Sequence, residues 1–321
     1  MHRERTFSRR EFHRRVLLGS MATAGVAAAP RAFGAPNKSK GVYVDIHTHL
    51  GMPWGNRSAL TADALLSWMD DSDIAQAVVL PLISPEAWDH PLTTDYVLKQ
   101  TKPYRDRLIP FCCIDPRTVN LGSYELKLKL LHRYKEAGAL GFGEHKPGVA
   151  IDDPRNLELF AACAEAGLPV LFHLDTLRNW DQPGLPGLTS VLEQVPNGFF
   201  IGHAQGWWAS IGGGVNKKDM QGYPKGEVQP GGALDILMDR FPNLYGDLSA
   251  GSGANAISRD REFGRAFLIR RADRLLFGTD YLAPEQAVPQ FELFESLDLP
   301  ETVKDKIYHR NARRLLGLAP G

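Results

Sequence analysis

Side chains of the types that bind metal ions stand at the ends of several apolar segments of this chain. The first are His47 and His49, in the run Asp-Ile-His-Thr-His at residues 45–49. Two residues apart on a strand, they share a face with their Cα atoms about 6.6 Å apart, so both imidazoles can reach one ion. Further apolar segments end at Glu144, His173, His203 and Asp280. A lone His-x-His pair also suits polar residues near a surface, but its repetition at other segment ends predicts a metal centre.

The chemistry expected of such a centre is hydrolysis. A divalent ion lowers the pKa of bound water from 15.7 to about 7, so hydroxide becomes available near neutral pH. Asp280 is placed to take the remaining proton and pass it to the leaving group. If His203 is not a ligand, it could polarise the substrate. The sequence therefore predicts attack of metal-bound hydroxide on an ester, lactone, amide or similar bond of a small molecule.

The segments that carry these residues are spaced as in a repeated strand–helix unit. The chain of 321 residues shows no linker or charge block between residues 41 and 318. The predicted strands are Val42–His47, Ile74–Leu80, Leu108–Ile114, Ala139–Glu144, Val170–Leu174, Phe199–His203, Leu244–Asp247 and Leu275–Gly278. The predicted helices include Leu60–Asp70, Leu121–Ala137, Arg155–Ala166, Ala233–Arg240, Arg261–Arg271 and the tail Val303–Leu316. Eight such units, spaced by about 30 residues, predict one α/β domain over residues 35–321, a (β/α)8 TIM barrel with its site at the carboxyl ends of the strands.

The loops at that face supply candidates for substrate binding. The longest connection, residues 206–232, contains Trp207-Trp208 and Tyr223-Pro224 and is expected to lie over the mouth of the barrel. Arg178 and Trp180 follow the fifth predicted strand. Arg178, Trp180, Trp207 and Trp208 are the candidates for substrate contact. The alternative for the tryptophans is that they only fix their loops to the barrel.

The ordered motifs resemble the amidohydrolase superfamily, in particular its branch related to aminocarboxymuconate semialdehyde decarboxylase. The resemblance covers nearly the whole domain and lies in the runs at residues 45–49, 170–173, 200–203, 244–249 and 276–280. It implies that His47, His49, His173 and Asp280 are metal ligands. It further implies that His203 is either a ligand or a catalytic acid or base.

Glu144 departs from the one-metal pattern of the decarboxylase-like members. Gly143-Glu144-His145 resembles instead the strand-four glutamate of two-metal members such as the TatD-type deoxyribonucleases. If Glu144 bridges, one ion takes His47, His49 and Asp280, and the other takes His173 and His203. The alternative for Glu144 is a salt bridge to Lys146 or to a helix residue. The number of ions, one or two, therefore stays open.

Three functions compete on these residues. Hydrolysis leads, because a bridged pair of ions generates hydroxide. Non-oxidative decarboxylation of a small unsaturated or aromatic acid is the alternative, since one ion with a free His203 suits it. A barrel that binds a ligand without turnover is the third, and the presence of both Asp280 and His203 disfavours it. The cofactor is a divalent metal, with zinc the default for a His-rich site and manganese or iron as alternatives.

The first 34 residues predict export instead of a place in the barrel. Ser8-Arg9-Arg10-Glu11-Phe12 is a twin-arginine pair, and the apolar run that follows is shorter than the roughly 20 residues that span a bilayer. Cleavage is expected after Gly34, or alternatively after Ala29. The sequence thus predicts a partner in the twin-arginine export machinery, a periplasmic or extracellular location and no stable membrane span after cleavage.

Charge and cysteine content narrow the partners further. Loss of residues 1–34 leaves 30 basic and 35 acidic residues, a formal charge of −5, so the neutrality of the whole chain hides an acidic domain. No nucleic-acid partner is expected. Cys112, Cys113 and Cys163 lack metal-type spacing and are expected in buried apolar positions. A homo-oligomer is a candidate assembly.

Overall fold

Eight parallel strands, each followed by helical structure, form the framework of the molecule. The computed structural model describes residues 41–118, 120 and 122–319, so the predicted export signal lies outside the described residues. The strands are β1 Tyr43–Thr48, β2 Ile74–Val79, β3 Leu108–Pro110, β4 Phe142–His145, β5 Val170–His173, β6 Phe200–His203, β7 Leu244–Asp247 and β8 Leu275–Leu276. Each lies within a predicted apolar run or within one residue of it, and the predicted α/β TIM-barrel fold is confirmed.

The strands pair in chain order. One sheet has the order β1-β2-β3 and a second has the order β4-β5-β6-β7-β8. Isolated parallel bridges join their edges, Cys112 to Phe142 between the third and fourth strands and Thr48 to Tyr281 beyond the eighth. The carboxyl ends of all eight strands therefore face the same way, as a common site requires.

The helices lie between the strands in sequence. They are α1 Ala62–Asp71, α2 Thr94–Thr101, α3 Tyr124–Glu136, α4 Pro154–Ala166, α5 Pro186–Gln194, α6 Gln205–Ala209, α7 Ala233–Arg240, α8 Ala250–Ser258, α9 Arg261–Arg270, α10 Gln290–Ser296, α11 Glu301–Asp305 and α12 Asn311–Leu316. The start of α4 follows from its sequence: Asp153 accepts a hydrogen bond from the backbone of Arg155, and Pro154 occupies the first turn, where its missing N–H costs nothing. The predicted tail helix is divided, since a π-helical segment, Lys306–Arg310, separates α11 from α12.

The interior of the barrel is filled with apolar side chains below the site. The cluster contains Val44, Ile46, Val78, Leu80, Ile109, Phe111, Leu171, Ile201, Tyr245 and Leu276. The tail helix joins it through Ala312 and Leu316, so the terminal segment closes the barrel core as well as packing on its outside. In the part of the chain that the structure describes, no helix combines the length and apolar character needed to cross a membrane.

A change of register in β4 aims Glu144 inward. Phe142 and His145 both pack outward, with the His145 Nε2–H donating to Asn156 Oδ1 of α4 at 2.8 Å. The register against β5 shifts between these two residues, which leaves Glu144 on the inner side. The shift requires glycine at 143, because its φ is +142° and a Cβ would lie 2.4 Å from the carbonyl oxygen of Leu171. Glu144 therefore reaches the histidines although its neighbours do not.

Candidate metal centre

The predicted trio His47, His49 and Asp280 comes together at the mouth of the barrel. The Nε2 atoms of the two histidines are 3.2 Å apart. Asp280 Oδ1 is 3.4 Å from the first and 3.6 Å from the second. Both imidazoles are buried, and the Asp280 side chain is 23 % exposed. Three donor atoms of the types that zinc and manganese prefer thus face one point that solvent reaches from the Asp280 side.

Hydrogen bonds at the other ring nitrogens fix the two imidazoles. His47 Nδ1 donates to Asp247 Oδ2 at 2.7 Å, and His49 Nδ1 donates to the carbonyl oxygen of Leu80 at 2.9 Å. Each Nε2 is then left to offer a lone pair to an ion. Burial, followed by the neighbouring His47, lowers the pKa of His49 to about 4. Burial also disfavours the charged form of His47, but the carboxylates of Asp280 and Asp247 outweigh it and raise its pKa to about 9.

His203 shares Asp247 with His47. It lies beside His173, its register partner on the adjacent strand. Its Nδ1 is 3.0 Å from both Asp247 Oδ2 and Ser249 Oγ, while the Ser249 hydroxyl donates to Asp247 Oδ2 at 2.8 Å. The Nε2 atom points toward Glu144, with 3.9 Å to its Oε1. Asp247, which ends the seventh predicted strand, is the carboxylate that orients these two imidazoles.

Glu144 and His173 contact each other, and the second ligand set of His173 and His203 stays a prediction. Glu144 Oε1 is 2.8 Å from His173 Nδ1, and the Lys146 ammonium lies 3.2 Å from the same oxygen. The other nitrogen of His173 is 2.9 Å from Asp175 Oδ2. A second possible cluster consists of His47, Glu144 and His203, but it uses the same Nε2 of His47 as the trio does. Because His47 has only that nitrogen free, the two clusters are alternatives for one ion.

The charge balance fits a divalent cation. Asp175, Asp247, Asp280 and Glu144 touch the four imidazoles, whereas Lys146 and Arg178 are the only Lys or Arg side chains paired with these carboxylates among the described residues. Glu144 pairs with Lys146, and Asp175 pairs with the Arg178 Nε at 3.0 Å. Asp247 and Asp280 have no Lys or Arg partner among the described residues, and their charges raise the pKa of His47. A divalent ion at His47 and His49 would offset these two carboxylates in place of a proton on His47.

Two other carboxylates near the histidines, Asp45 and Asp175, have different partners. Asp45 accepts from the Thr279 hydroxyl at 2.6 Å and from the His47 backbone, not from an imidazole, and burial raises its pKa to about 7. Asp175, in contrast, bonds the ring of His173, and its pKa is lowered below the usual range because His173 and backbone amides outweigh its burial. Only Asp175 of this pair orients an imidazole.

Trp207 and Trp208 are not at the substrate surface. Both are essentially unexposed, at 0 and 1 %. Trp207 packs over Gly202, where a Cβ would lie 2.3 Å from its ring, and the Trp208 Nε1–H donates to the backbone oxygen of Asp247 at 2.8 Å. The expectation of substrate contact is therefore wrong for these two residues, which instead fix the start of the long loop to the barrel. Trp180 is 40 % exposed, and Arg178 lies beside Asp175, so these two residues remain candidates for substrate contact.

Two aromatic residues outside the four candidates for substrate contact lie beside residues that follow the strands. The Trp54 ring lies 5.7 Å from the Lys146 Nζ and is half-buried. Tyr223, in the long loop, is half-exposed, and its hydroxyl lies against Gly251 at the start of α8. Burial and then the Asp280 carboxylate raise the pKa of this hydroxyl. For Tyr223, the signal available in the sequence was the expected position of the long loop over the mouth of the barrel.

The backbone turns sharply where the strands meet the mouth. Ala204, Ala250 and Asp280, which follow β6, β7 and β8, have φ values of 86°, 58° and 57°. Such values are uncommon for residues with a Cβ, and their clustering at one face is typical of functional sites. Two of these turns follow the strands that end at His203 and Asp247, and the third is at Asp280 itself.

An eight-stranded barrel with a His-x-His pair, an aspartate after the last strand and carboxylates that hold the imidazoles defines the class: enzymes that act through a divalent metal. The family model described as Amidohydrolase matches residues 44–318, and the chain belongs to that family. The resemblance to this superfamily is thereby confirmed. No curated protein gives a significant match to the chain.

Solved structures share the fold at low identity. An uncharacterized TIM-barrel protein from Bordetella bronchiseptica is 18 % identical, with a TM-score of 0.59 over 86 % of this chain and 98 % of that one. A probable 2-pyrone-4,6-dicarboxylic acid hydrolase from Acinetobacter baumannii, with citric acid bound, is 13 % identical, with a TM-score of 0.56 over 86 % and 100 %. A dihydroxybenzoic acid decarboxylase from Polaromonas sp. JS666, with manganese and 2-nitroresorcinol bound, is 15 % identical, with a TM-score of 0.54 over 88 % and 98 %. Both predicted reactions occur among these neighbours, whose likeness shows the fold alone.

Proposed function

We propose that this chain is a one-metal lyase that removes carbon dioxide from a small unsaturated or aromatic carboxylic acid. The observation that carries this choice is the partnership of Glu144 with Lys146 and His173, with distances of 3.2 and 2.8 Å. A carboxylate so engaged would have to give up these contacts to bridge two ions, and the bridge was the reason to place hydrolysis first. The order of the two reactions predicted from the sequence is therefore reversed.

His47, His49 and Asp280 would hold the ion, whose Lewis acidity would polarise a carboxylate or hydroxyl oxygen of the substrate. We propose zinc from the imidazole-rich ligands, with manganese, found in the decarboxylase neighbour, as the alternative. His173 stays in the ligand set only as an expectation from the superfamily resemblance.

His203 would supply the proton that decarboxylation needs. When carbon dioxide leaves, the carbon–carbon bond breaks and the substrate carbon that keeps the electron pair must gain a proton. Protonated His203 would donate it from Nε2, since Nδ1 is held by Asp247 and Ser249 at 3.0 Å. The Asp247 carboxylate stabilises the imidazolium before transfer, and solvent restores the proton afterwards. His203 is thus an acid in this reaction.

Hydrolysis remains the second candidate because of Asp280. This carboxylate is 23 % exposed and borders the ligand atoms of both histidines, so it could accept a proton from water during attack on an ester or lactone. The same ligands would serve, and His203 would then stabilise charge on the substrate oxygen.

Product analysis separates the two reactions. Protein reconstituted with Zn²⁺ or Mn²⁺ is incubated with 2,6-dihydroxybenzoate, 2-pyrone-4,6-dicarboxylate and aryl esters in deuterated water, and carbon dioxide and organic products are followed. We expect carbon dioxide together with a product that carries deuterium at the former carboxyl position. A His203→Asn variant should lose at least a hundredfold in kcat, and the exposed His132→Asn variant should not change. A wild-type protein that opens the lactone or esters without releasing carbon dioxide would overturn the assignment.

Metal stoichiometry tests the single ion independently. We expect one ion per chain in the wild type and in Glu144→Gln, because Glu144 is not the bridge. Two ions in the wild type that fall to one in the variant would restore hydrolysis to first place.

We also propose that residues 1–34 direct export by the twin-arginine route. The support is the Ser8-Arg9-Arg10-Glu11-Phe12 run and the apolar segment behind it. In a bacterial host, full-length protein should be processed and recovered outside the cytoplasm, whereas a chain with Arg9→Lys and Arg10→Lys should remain unprocessed inside. Export of both chains alike would refute the route.

A further inference from the structure

Lys146 is a buried cation whose donors are only partly used. Its side chain is 8 % exposed, and it follows β4 two residues after Glu144. Lysine is almost never buried unless it is paired. Its one carboxylate partner among the described residues is Glu144, whose oxygens lie 3.2 and 3.4 Å from Nζ. An ammonium group has three N–H donors, so Glu144 leaves part of its capacity free.

Glu144 also contacts side chains other than Lys146. Its Oε1 atom makes a shorter contact with His173, at 2.8 Å, than with Lys146. Its Oε2 atom faces the metal-binding nitrogens, at 3.6 Å from His49 and 3.9 Å from His47. The positive charge of Lys146 is therefore shared with a carboxylate that also faces four histidines, His203 included at 3.9 Å. A buried cation in this state can accept a further anion without leaving Glu144.

The position of Lys146 suits a substrate bound at the metal centre. Glu144 Oε2 lies 3.4 Å from Lys146 Nζ and 3.6 Å from His49 Nε2, so these two nitrogens are separated by at most about 7 Å. A small ring with two carboxylates spans such a distance. The half-buried Trp54 ring, 5.7 Å from Nζ, offers an apolar face beside Lys146.

We propose that Lys146 binds a second carboxylate of the substrate, the one that is not at the metal centre. The substrate class is then a small aromatic or unsaturated dicarboxylic acid. This inference deepens the proposed function and rests on its placement of the reacting carboxylate. Lys146 sets specificity and takes no part in bond cleavage.

Binding of unreactive probes tests the proposal without turnover. Metal-loaded protein is titrated calorimetrically with benzoate and with benzene-1,3-dicarboxylate. Because a hydrogen bond to a charged group gains about 1.5–3 kcal/mol, we expect the wild type to bind the dicarboxylate at least tenfold more tightly. Lys146→Met should remove that advantage and leave benzoate affinity within threefold, while Lys146→Arg should keep most of it.

A matched control separates recognition from folding. Lys127 is equally buried and pairs with Glu158 at 3.0 Å between α3 and α4, so Lys127→Met should preserve the dicarboxylate advantage. If Lys146→Met fails to fold, Glu144→Gln with Lys146→Met removes the unpaired carboxylate and is titrated in its place. The proposal is overturned if the wild type shows no preference, if the preference survives without Lys146, or if both probes weaken equally. Carbon dioxide release by the wild type is scored separately, so failure of the dicarboxylate preference does not imply failure of the lyase assignment.

Discussion

Replacement of Asp247 by asparagine should weaken metal binding and catalysis together. The side chain is fully buried and accepts from His47 Nδ1 at 2.7 Å, from the Ser249 hydroxyl at 2.8 Å and, through its 3.0 Å contact, from His203. His47 and His203 outweigh burial and hold the pKa of this carboxyl below its usual range, so it is ionised when the protein is folded. In Asp247→Asn an N–H group takes the place of one accepting oxygen.

The expected size follows from the bonds that are lost. A hydrogen bond to a charged group contributes about 1.5–3 kcal/mol, and 1.4 kcal/mol is tenfold in an equilibrium constant. Loss of the bond to His47 should therefore weaken metal binding by about ten- to a hundredfold, as for other residues that orient metal ligands. A comparable loss at His203 should lower kcat even when the ion is saturating.

Chelator competition measures the metal affinity, and kcat is measured at saturating metal. Asp45→Asn is the matched control, because Asp45 is equally buried and close to His47 but bonds Thr279 and the backbone, not the ring. We expect that control to change metal affinity by less than threefold. Wild-type metal affinity in Asp247→Asn, or equal losses in both variants, would refute the role given to Asp247.

Three further outcomes are expected. Asp115→Asn should lower the free energy of unfolding at pH 7 by about 1 kcal/mol, after allowance for solvent screening. Arg117 and Ser84 outweigh burial and lower the pKa of Asp115 to about 2, so its contribution to stability is present above about pH 4 and is lost as pH falls toward 2. The acid limb of the variant's denaturation curves should therefore lack this contribution. Ala204→Gly should raise the unfolding free energy by about 1 kcal/mol in urea melts, because relief of a φ of 86° exceeds the backbone entropy that glycine loses; a decrease would contradict the strain. Metal removal should destabilise the protein, and Mn²⁺ at a hundred times its Kd should restore about 2.7 kcal/mol; unchanged melting with and without metal would contradict a site that balances buried charge.

The strands and the His-x-His pair could be predicted because their signals are local. An apolar run that ends in a ligand-type residue is visible in a few consecutive positions, and the parallel barrel brings such ends to one face. That geometry predicted a metal centre at these strand ends, and the resemblance to the superfamily implied His47, His49 and Asp280 as ligands. In the structure their ligand atoms lie 3.2 to 3.6 Å apart.

The positions of the tryptophans depended on distant packing. Trp207 lies where Gly202 leaves room for its ring, and Trp208 bonds the backbone of Asp247, 39 residues away. Nothing in the run Gln205-Gly206-Trp207-Trp208 distinguishes a ring that covers the barrel from one that faces a substrate. Tyr223 was harder still, because its approach to Gly251 depends on the path of the whole loop.

Glu144 shows why the choice of reaction could not be settled from the sequence. Its type and place at a strand end fitted a bridging ligand, and Lys146 was visible as the alternative partner. The outcome depends on the register shift in β4, which turns Glu144 inward beside Lys146 and His173. Once Glu144 is paired, Asp247 and Asp280 are the carboxylates of the site without a Lys or Arg partner among the described residues. In the proposed function Asp247 would orient both the metal ligand His47 and the acid His203, so one residue would support the single ion and the proton that decarboxylation requires.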